Sequence, residues 1–386
     1  MLMKLPNDPV MLLSAVNMKL RDQYVSLDAL CDDFHISPPG LPNDGFLFAD
    51  HSAQRRSGHL GHALLECKNG ELLAYYPNCN DDNAGHSGNG WMEFRRSTDH
   101  GETWDATEKD AYSYKMWRSH CGRTAMCEKG VTTDSGALVI FHLICDMQEN
   151  GSFWEPYWIP TYMRSIDNGC TWSQAQDLCA LRGRVYDARY HEGIIYALMF
   201  ANDATEHFVG VRPEHEYQLY VSLDDGLTFQ LRSVLSIPSY HRGYGCMEFM
   251  SNGDLIAYAY DIDDESHPDY CISHDQGHTW DAPLKTHVAK CIRNPQIVRF
   301  GGGYFMHGRS GSLNSTPGHF VLYYSNDAIH WDEGRYMRLC TEGAGAYSNN
   351  LVVGSHVPGM QKRLLIHTSH AYSEHRTNTI FWWIDI

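Results

Sequence analysis

Ser97-Thr98-Asp99-His100-Gly101-Glu102-Thr103-Trp104 recurs along the chain as Ser165-Ile166-Asp167-Asn168-Gly169-Cys170-Thr171-Trp172, then as Ser222-Leu223-Asp224-Asp225-Gly226-Leu227-Thr228-Phe229. It returns as Ser273-His274-Asp275-Gln276-Gly277-His278-Thr279-Trp280 and, in a worn copy, as Ser325-Asn326-Asp327-Ala328-Ile329-His330-Trp331. Ser-x-Asp-x-Gly-x-Thr-Trp has a physical logic. The Asp is expected to be a buried acceptor for the turn's own amides, Gly supplies a positive φ, and the aromatic tucks beneath. Each copy reads as a rigid hairpin turn.

The copies begin at residues 97, 165, 222, 273 and 325, intervals of 68, 57, 51 and 52 residues. That is the length of a four-stranded sheet with its loops, and repetition at that period predicts a β-propeller. Such Asp boxes, or BNR repeats, are the hallmark of the sialidase (neuraminidase) superfamily, which this chain resembles from about residue 45 to its end. The resemblance implies an all-β fold. It says less about function, because the boxes sit on turns far from the central pocket and recur in enzymes, lectins and receptors. Five copies account for five blades. A sixth is expected to combine Arg363 to His367 and Ile380 to Ile386 with an early strand at Gly45 to Ala49, closing the ring; seven blades is the fallback. Further strands are expected at Gly61 to Glu66, Leu72 to Tyr76 and Met92 to Arg95.

At 386 residues, with 12 % aromatics and 33 glycines, the composition suits one large hairpin-rich domain. The formal net charge of −17 argues against nucleic acid or an anionic membrane surface as a partner. No apolar run approaches 18 residues and no secretory signal is apparent, so a cytoplasmic location is expected. The 12 cysteines are scattered without a CxxC pair and read as reduced, small apolar fillers.

Residues 1–36 read differently. Asn7-Asp8-Pro9 followed by Val10, Leu12, Leu13, Val16, Met18 and Leu20 predicts a helix to Tyr24, and Ser26-Leu27-Asp28 starts a second one to Phe34. This segment resembles a small uncharacterised bacterial helical family, which implies no chemistry. A short helical hairpin that docks on the propeller or mediates homo-oligomer formation is the expectation, joined by a linker at 37–44 to the propeller at 45–386.

A propeller's pocket lies on its axis, so the segments following each box should line it. They carry His62, His120, Arg184, Tyr186, His241, Arg242, Arg293, His307 and Arg309. Repeated Arg, His and Tyr from several blades predict a pocket for an anionic or heavily hydroxylated ligand, an oligosaccharide or glycoconjugate. Taken singly, an Arg or His here is more often a blade-to-blade hydrogen bonder. Arg95, Arg96 and Arg164, beside the boxes, are assigned to structure, and Trp91, Trp117, Trp154 and Trp158 to packing or the rim. The pairs His59/His62 and His367/His370 do not sit on one face at that spacing, so neither a metal nor another cofactor is expected.

The sialidase resemblance is strongest at Gly345-Ala346-Tyr347-Ser348-Asn349-Asn350-Leu351, similar to the segment that carries the family's nucleophilic tyrosine. Tyr347 inherits that role. The loop Asn80-Asp81-Asp82-Asn83 looks like the source of the acid/base aspartate, implying Asp82 or Asp81. The glutamate that partners the tyrosine falls at Tyr244, with Glu248 on the same strand face as the substitute. The three arginines of the family's carboxylate clamp fall at His59-Leu60-Gly61-His62, at Tyr260 and near His319, so the clamp is not preserved. The resemblance therefore implies a sialidase-superfamily exo-glycoside hydrolase with an altered clamp, acting on an anionic sugar. A polysaccharide lyase using Tyr, His and Arg on uronate-containing glycans is the alternative, and a non-catalytic glycan-binding propeller the third.

Overall fold

The computed structural model describes residues 35–36, 47–80, 89–146, 157–203, 208–310, 319–338, 345–373 and 376–385. The two helices expected up to Phe34, the linker at 37–44, Trp154 and the loop bearing Asp81 and Asp82 lie outside these residues.

Six antiparallel sheets stand around one axis. Blade 1 runs outward through Leu64–Glu66, Leu72–Cys79, Gly90–Ser97 and Glu108–Lys109, and blade 2 through Arg123–Thr132, Leu138–Asp146, Thr161–Ser165 and Gln176–Asp177. Blade 3 comprises Gly183–His191, Ile194–Ala201, Glu216–Ser222 and Gln230–Val234; blade 4 comprises Arg242–Phe249, Leu255–Asp261, Asp269–Ser273 and Leu284–Lys285. Blade 5 is Arg293–Phe300, Gly303–Arg309, Phe320–Ser325 and Arg335–Arg338. In blade 6, Ser348–Val353, Arg363–Ser373 and Arg376–Asp385 come from the end of the chain, and Leu47–Ala49 adds itself outside the last of them. His35–Ile36 pairs with the same C-terminal strand at Asp385 and Ile384. Beginning and end thus share a sheet, which leaves the ring without a seam.

The Ser-x-Asp segments join the third and fourth strands of blades 1 to 5. In each full copy the Asp accepts from the Thr amide (Thr103 N to Asp99 Oδ1, 2.8 Å; Thr228 N to Asp224 Oδ1, 2.9 Å), while the Ser hydroxyl accepts from the Gly amide (Gly226 N to Ser222 Oγ, 2.8 Å). The worn copy keeps Asp327 as acceptor for the amides of Ile329 and His330. One expectation is corrected: Asp224, like Asp275 and Asp327, is exposed, Asp99 and Asp167 are half-buried, and the buried member is the serine, with Ser222 1 % exposed. The turn needs positive φ at two successive residues, Asp225 (63°) and Gly226 (83°) in blade 3. A Cβ on Gly226 would meet Val139 Cγ2 of blade 2 at 2.3 Å, and one on Gly277 would meet Leu219 Cδ2 of blade 3 at 2.3 Å. Arg96 and Arg164 reach from one blade to the carbonyls of Asn168 and Asp225 in the turn of the next. The repeated turns therefore lock each blade to its predecessor.

One element escapes the strand pattern. Between blades 1 and 2 the helix Ala111–Arg118 is capped by Asp110, whose carboxylate accepts from Ser113 N at 2.7 Å.

Candidate functional site

Residues of the innermost strands, with the segments leading into them, surround one mouth of the axis. Gly61, His62, Glu128, Lys129, Arg184, Tyr186, Tyr244, Asn294, Gln296, Tyr347 and Ser348 line a cavity there of about 400 Å³, counting the space open to solvent. Irregularities in four of these strands, at Cys127/Lys129, Val185/Asp187, Gly243/Gly245 and Arg293/Gln296, each shift the pairing register by one residue. A bulge re-aims side chains that strict alternation would send into the blade, which is how an apolar strand delivers Glu128 and Lys129 to the axis.

Tyr347 and Tyr244 meet hydroxyl to hydroxyl at 2.6 Å, both rings buried. The Tyr244 hydroxyl thus stands beside Tyr347, at the position where counting along the sequence put the family's glutamate. The His59 ring packs edge-on against Tyr347 at 4.5 Å, and the Arg309 guanidinium lies 5.6 Å from the same ring. Arg184 donates from Nη2 to Glu128 Oε2 at 2.7 Å, and its guanidinium stands 5.0 Å from the Tyr186 ring and 5.8 Å from that of Tyr244. Burial opposes the Arg184 charge, and Glu128 with the surrounding tyrosines more than offsets it, holding its pKa above the usual arginine range. Several polar atoms here have no hydrogen-bond partner among the described residues: Glu128 Oε1, Arg184 Nη1, Arg309 Nε and both ends of the Asn294 amide. Buried groups left open at a cavity wall are groups awaiting a ligand or water.

Beneath the cavity a charged plug crosses the axis. Asp187, fully buried, sits 3.2 Å from Lys129 Nζ and 2.6 Å from Arg189 Nη1, and Lys129 also donates to Gln296 and Asn349. His307 belongs to this layer, with Nδ1 2.8 Å from Ser348 Oγ and Nε2 3.0 Å from Asn350 Nδ2; burial, with Lys129 and Arg189 nearby, pushes it down to about 3. His62 is pushed down to about 4 by burial. Both rings are neutral near pH 7.

Of the residues expected from sequence, His62, Arg184, Tyr186, Tyr244 and Tyr347 come together in the cavity, and Arg309 stands beside it. Arg293 is held 2.9 Å from both the Tyr260 hydroxyl and Glu265. The others lie elsewhere. Glu248 lines a second cavity, of about 970 Å³ including solvent-open space, where the innermost strands end, together with Arg189, Arg299 and Glu66. Arg242 is bound to Asp269 and Asp261, His241 to Asp263 on the surface, and His120 sits on the exposed turn after the helix. Sequence reading missed Glu128, Lys129, Asn294 and Gln296. A signal for the first two existed, since a Glu-Lys pair interrupts the apolar run Thr124 to Val131.

A family model described as a domain of unknown function, DUF4250, matches residues 6–43, ahead of the propeller. No curated protein matches the chain in sequence. In three dimensions the chain resembles a protein of unknown function from Dyadobacter fermentans (TM-score 0.69, 14 % identity, 92 % of this chain and 99 % of that one). It also resembles the Hadza microbial sialidase Hz136 (TM-score 0.62, 12 % identity, 87 % of this chain and 67 % of that one). The intramolecular trans-sialidase of Ruminococcus gnavus superimposes with a TM-score of 0.57 at 11 % identity, over 88 % of this chain and 97 % of that one. Identities this low speak for architecture alone: the chain has the six-bladed propeller fold of the sialidases.

Proposed function

We propose that this protein is a glycan-processing enzyme whose reacting group is Tyr347, acting from the axial cavity on a sugar that carries a carboxylate. The observation that carries the reading is the 2.6 Å contact between the Tyr347 and Tyr244 hydroxyls in the wall of that cavity. Tyr244, donating to the Tyr347 oxygen, stabilises the phenolate form that either bond making or proton abstraction requires. The tyrosine approaches a carbon beside a carboxylate as a neutral phenol and takes on negative charge only as its proton is lost in the step, so it avoids the repulsion a resting aspartate carboxylate would meet. Arg184 and Arg309 supply positive charge, and the open ends of Asn294 suit sugar hydroxyls. The likeness in fold to sialidases favours hydrolysis with retention through a tyrosyl intermediate, with Asp82 or Asp81 as acid/base.

A second reading rests on the same pair. A hydroxyl beside Tyr347 is a good stabiliser of phenolate and a poor proton acceptor, which suits Tyr347 as the base of a lyase that removes the proton next to a uronate carboxyl. The products separate the two. Incubated with sialylated and uronate-containing oligosaccharides, a hydrolase releases a reducing sugar, whereas a lyase produces an unsaturated uronate absorbing in the ultraviolet. If Tyr347→Phe keeps full turnover on whichever substrate reacts, both readings fail; if the parent turns over neither substrate yet binds one, a binding propeller remains.

A further inference from the structure

Away from the axial cavity, where the helix Ala111–Arg118 enters blade 2, a carboxylate, a thiol and an imidazole face one another inside the protein. Cys127 lies on the innermost strand and His142 directly opposite it on the second strand, so both side chains leave the same face of the sheet. Asp110, the helix cap, brings its carboxylate to them. One ligand atom from each of the three lies within 4.8 Å of the others, and all three residues are buried, His142 and Cys127 completely. Among the described residues neither ring nitrogen of His142 has a hydrogen-bond partner in good geometry, the nearby Thr161 backbone included. An imidazole with both nitrogens unmet in a dry interior is costly, and in this fold it sits beside a thiol and a carboxylate.

We propose that Asp110, Cys127 and His142 bind a zinc ion, which fastens the helix between blades 1 and 2 to the core of blade 2. The donor set of one thiolate, one imidazole and one carboxylate is that of zinc rather than of calcium or magnesium, which take oxygen ligands. Charge balance supports it. Zn²⁺ with a thiolate and a carboxylate is neutral overall, so the ion removes the penalty of burying the carboxylate without introducing a net charge. Ligand atoms around a tetrahedral zinc stand roughly 3.3–3.6 Å apart, so the three need to close in by on the order of 1 Å. A water molecule completes the four positions. Binding requires loss of the thiol proton to solvent, so affinity rises with pH.

The site is structural, since Cys127 and His142 are sealed from the axial cavity and line none of it. It ties together segments that are otherwise joined by the Asp110 cap, by the bond from Ser113 Oγ to Ala125 O and by that from Met92 N to Ser113 Oγ.

The test is metal content. The full chain, expressed with zinc in the medium, purified without chelator and dialysed against metal-free buffer, is expected to hold about one zinc per chain by mass spectrometry, and its melting temperature is expected to fall on prolonged chelation. Cys127→Ser and His142→Gln are expected to lose the bound zinc, while Cys246→Ser, another buried cysteine, keeps it. Cobalt supplies a readout that needs no variant: the chelated chain reloaded with Co²⁺ is expected to show a thiolate-to-cobalt charge-transfer band in the near ultraviolet. Less than about a tenth of a zinc per chain, zinc undiminished in both variants, or cobalt bound without that band would each overturn the proposal.

Discussion

The rim and the axis of this propeller are built on opposite rules. At the rim one short segment is used five times, and each copy makes the same bonds: Ser to Asp, Asp to the amide four residues on in the four full copies, and the turn pressed onto the blade before it. At the axis nothing repeats. Blade 2 sends Glu128 and Lys129, blade 3 Arg184 and Tyr186, blade 4 Tyr244, blade 5 Asn294 and blade 6 Tyr347. The rim bonds connect residues two to four apart, so each turn is specified locally. The contacts in the wall of the axial cavity join distant residues, 103 apart for Tyr244 with Tyr347 and 56 for Arg184 with Glu128, and exist only once the blades have come together.

Acid should separate the two regions most strongly. His62 and His307 at the axis, and His51 and His370 elsewhere in the protein, are held by burial at about 4, 3, 4 and 3, well below the 6.5 of an unfolded histidine. A group whose folded pKa is depressed leaves the folded state neutral while the unfolded chain takes up a proton. Stability is therefore intact above pH 6.5 and falls as pH drops from there toward 4, by up to about 1.4 kcal/mol per pH unit for each such group. The rim aspartates Asp99 and Asp167 are held down to about 2 by the hydroxyl and amide of their own turns, so their contribution is lost only below the unfolded value of 3.8. Thermal melts at stepped pH should show a steep loss between 6.5 and 4.5. A flat profile over that window would mean that the interior histidines are solvated or already charged.

The next largest effect concerns the tyrosine pair. Tyr347→Phe is expected to lower kcat by about 10³-fold or more, roughly 4 kcal/mol of barrier, with the melting temperature nearly unchanged. Tyr244→Phe should fall short of that, and the double variant should be no worse than Tyr347→Phe, because the two hydroxyls act as one unit. Multiplicative losses in the double variant would separate them into independent groups.

How much of this was open to sequence reading follows the same division. The repeats gave the propeller, and the leftover strands at both ends gave the sixth blade, because a turn of eight residues carries its own bonding pattern. Tyr347 was legible because its motif is local. Its partnership with Tyr244 rested on counting, and the contact itself needed the closed ring. Glu128 and Asn294 stayed hidden because bulges carry them to the axis, and a bulge is a matter of pairing with another strand. Arg242, read as a pocket residue, lies in an ion-pair cluster with Asp261, Asp269 and Lys285, which the neighbouring strands of blade 4 bring to it. The helix after Asp110 was missed although an Asp cap ahead of Ala-Tyr-Ser-Tyr-Lys-Met is a fair start signal.

A third effect tests whether the axis is held by charge. Glu128→Gln leaves the Arg184 guanidinium buried without its counter-charge, at a cost of about 3 kcal/mol of stability. Replacing both residues by apolar ones, Glu128→Leu with Arg184→Met, should be less destabilising than Glu128→Leu alone, and inactive. Chemical denaturation of the three variants checks the order. Equal destabilisation of single and double variants would mean that the cavity solvates Arg184 well enough to dispense with Glu128.

The smallest effect belongs to a rim turn. Asp224 is exposed, so Asp224→Ala removes acceptors that water partly replaces for the Thr228 amide and hydroxyl, and about 1 kcal/mol is the expected loss. Ser222→Ala should cost somewhat more, because the serine hydroxyl is buried and the Gly226 amide it accepts from has no water in reach. Neither residue lines the axial cavity, so kcat and KM on a reactive substrate should match the parent in both variants. The comparison is sharpened by the sign of the difference. Asp224→Ala costing more than Ser222→Ala would show that the turn is held by its charged acceptor, and lost turnover in either variant would show that the rim transmits its geometry to the axis.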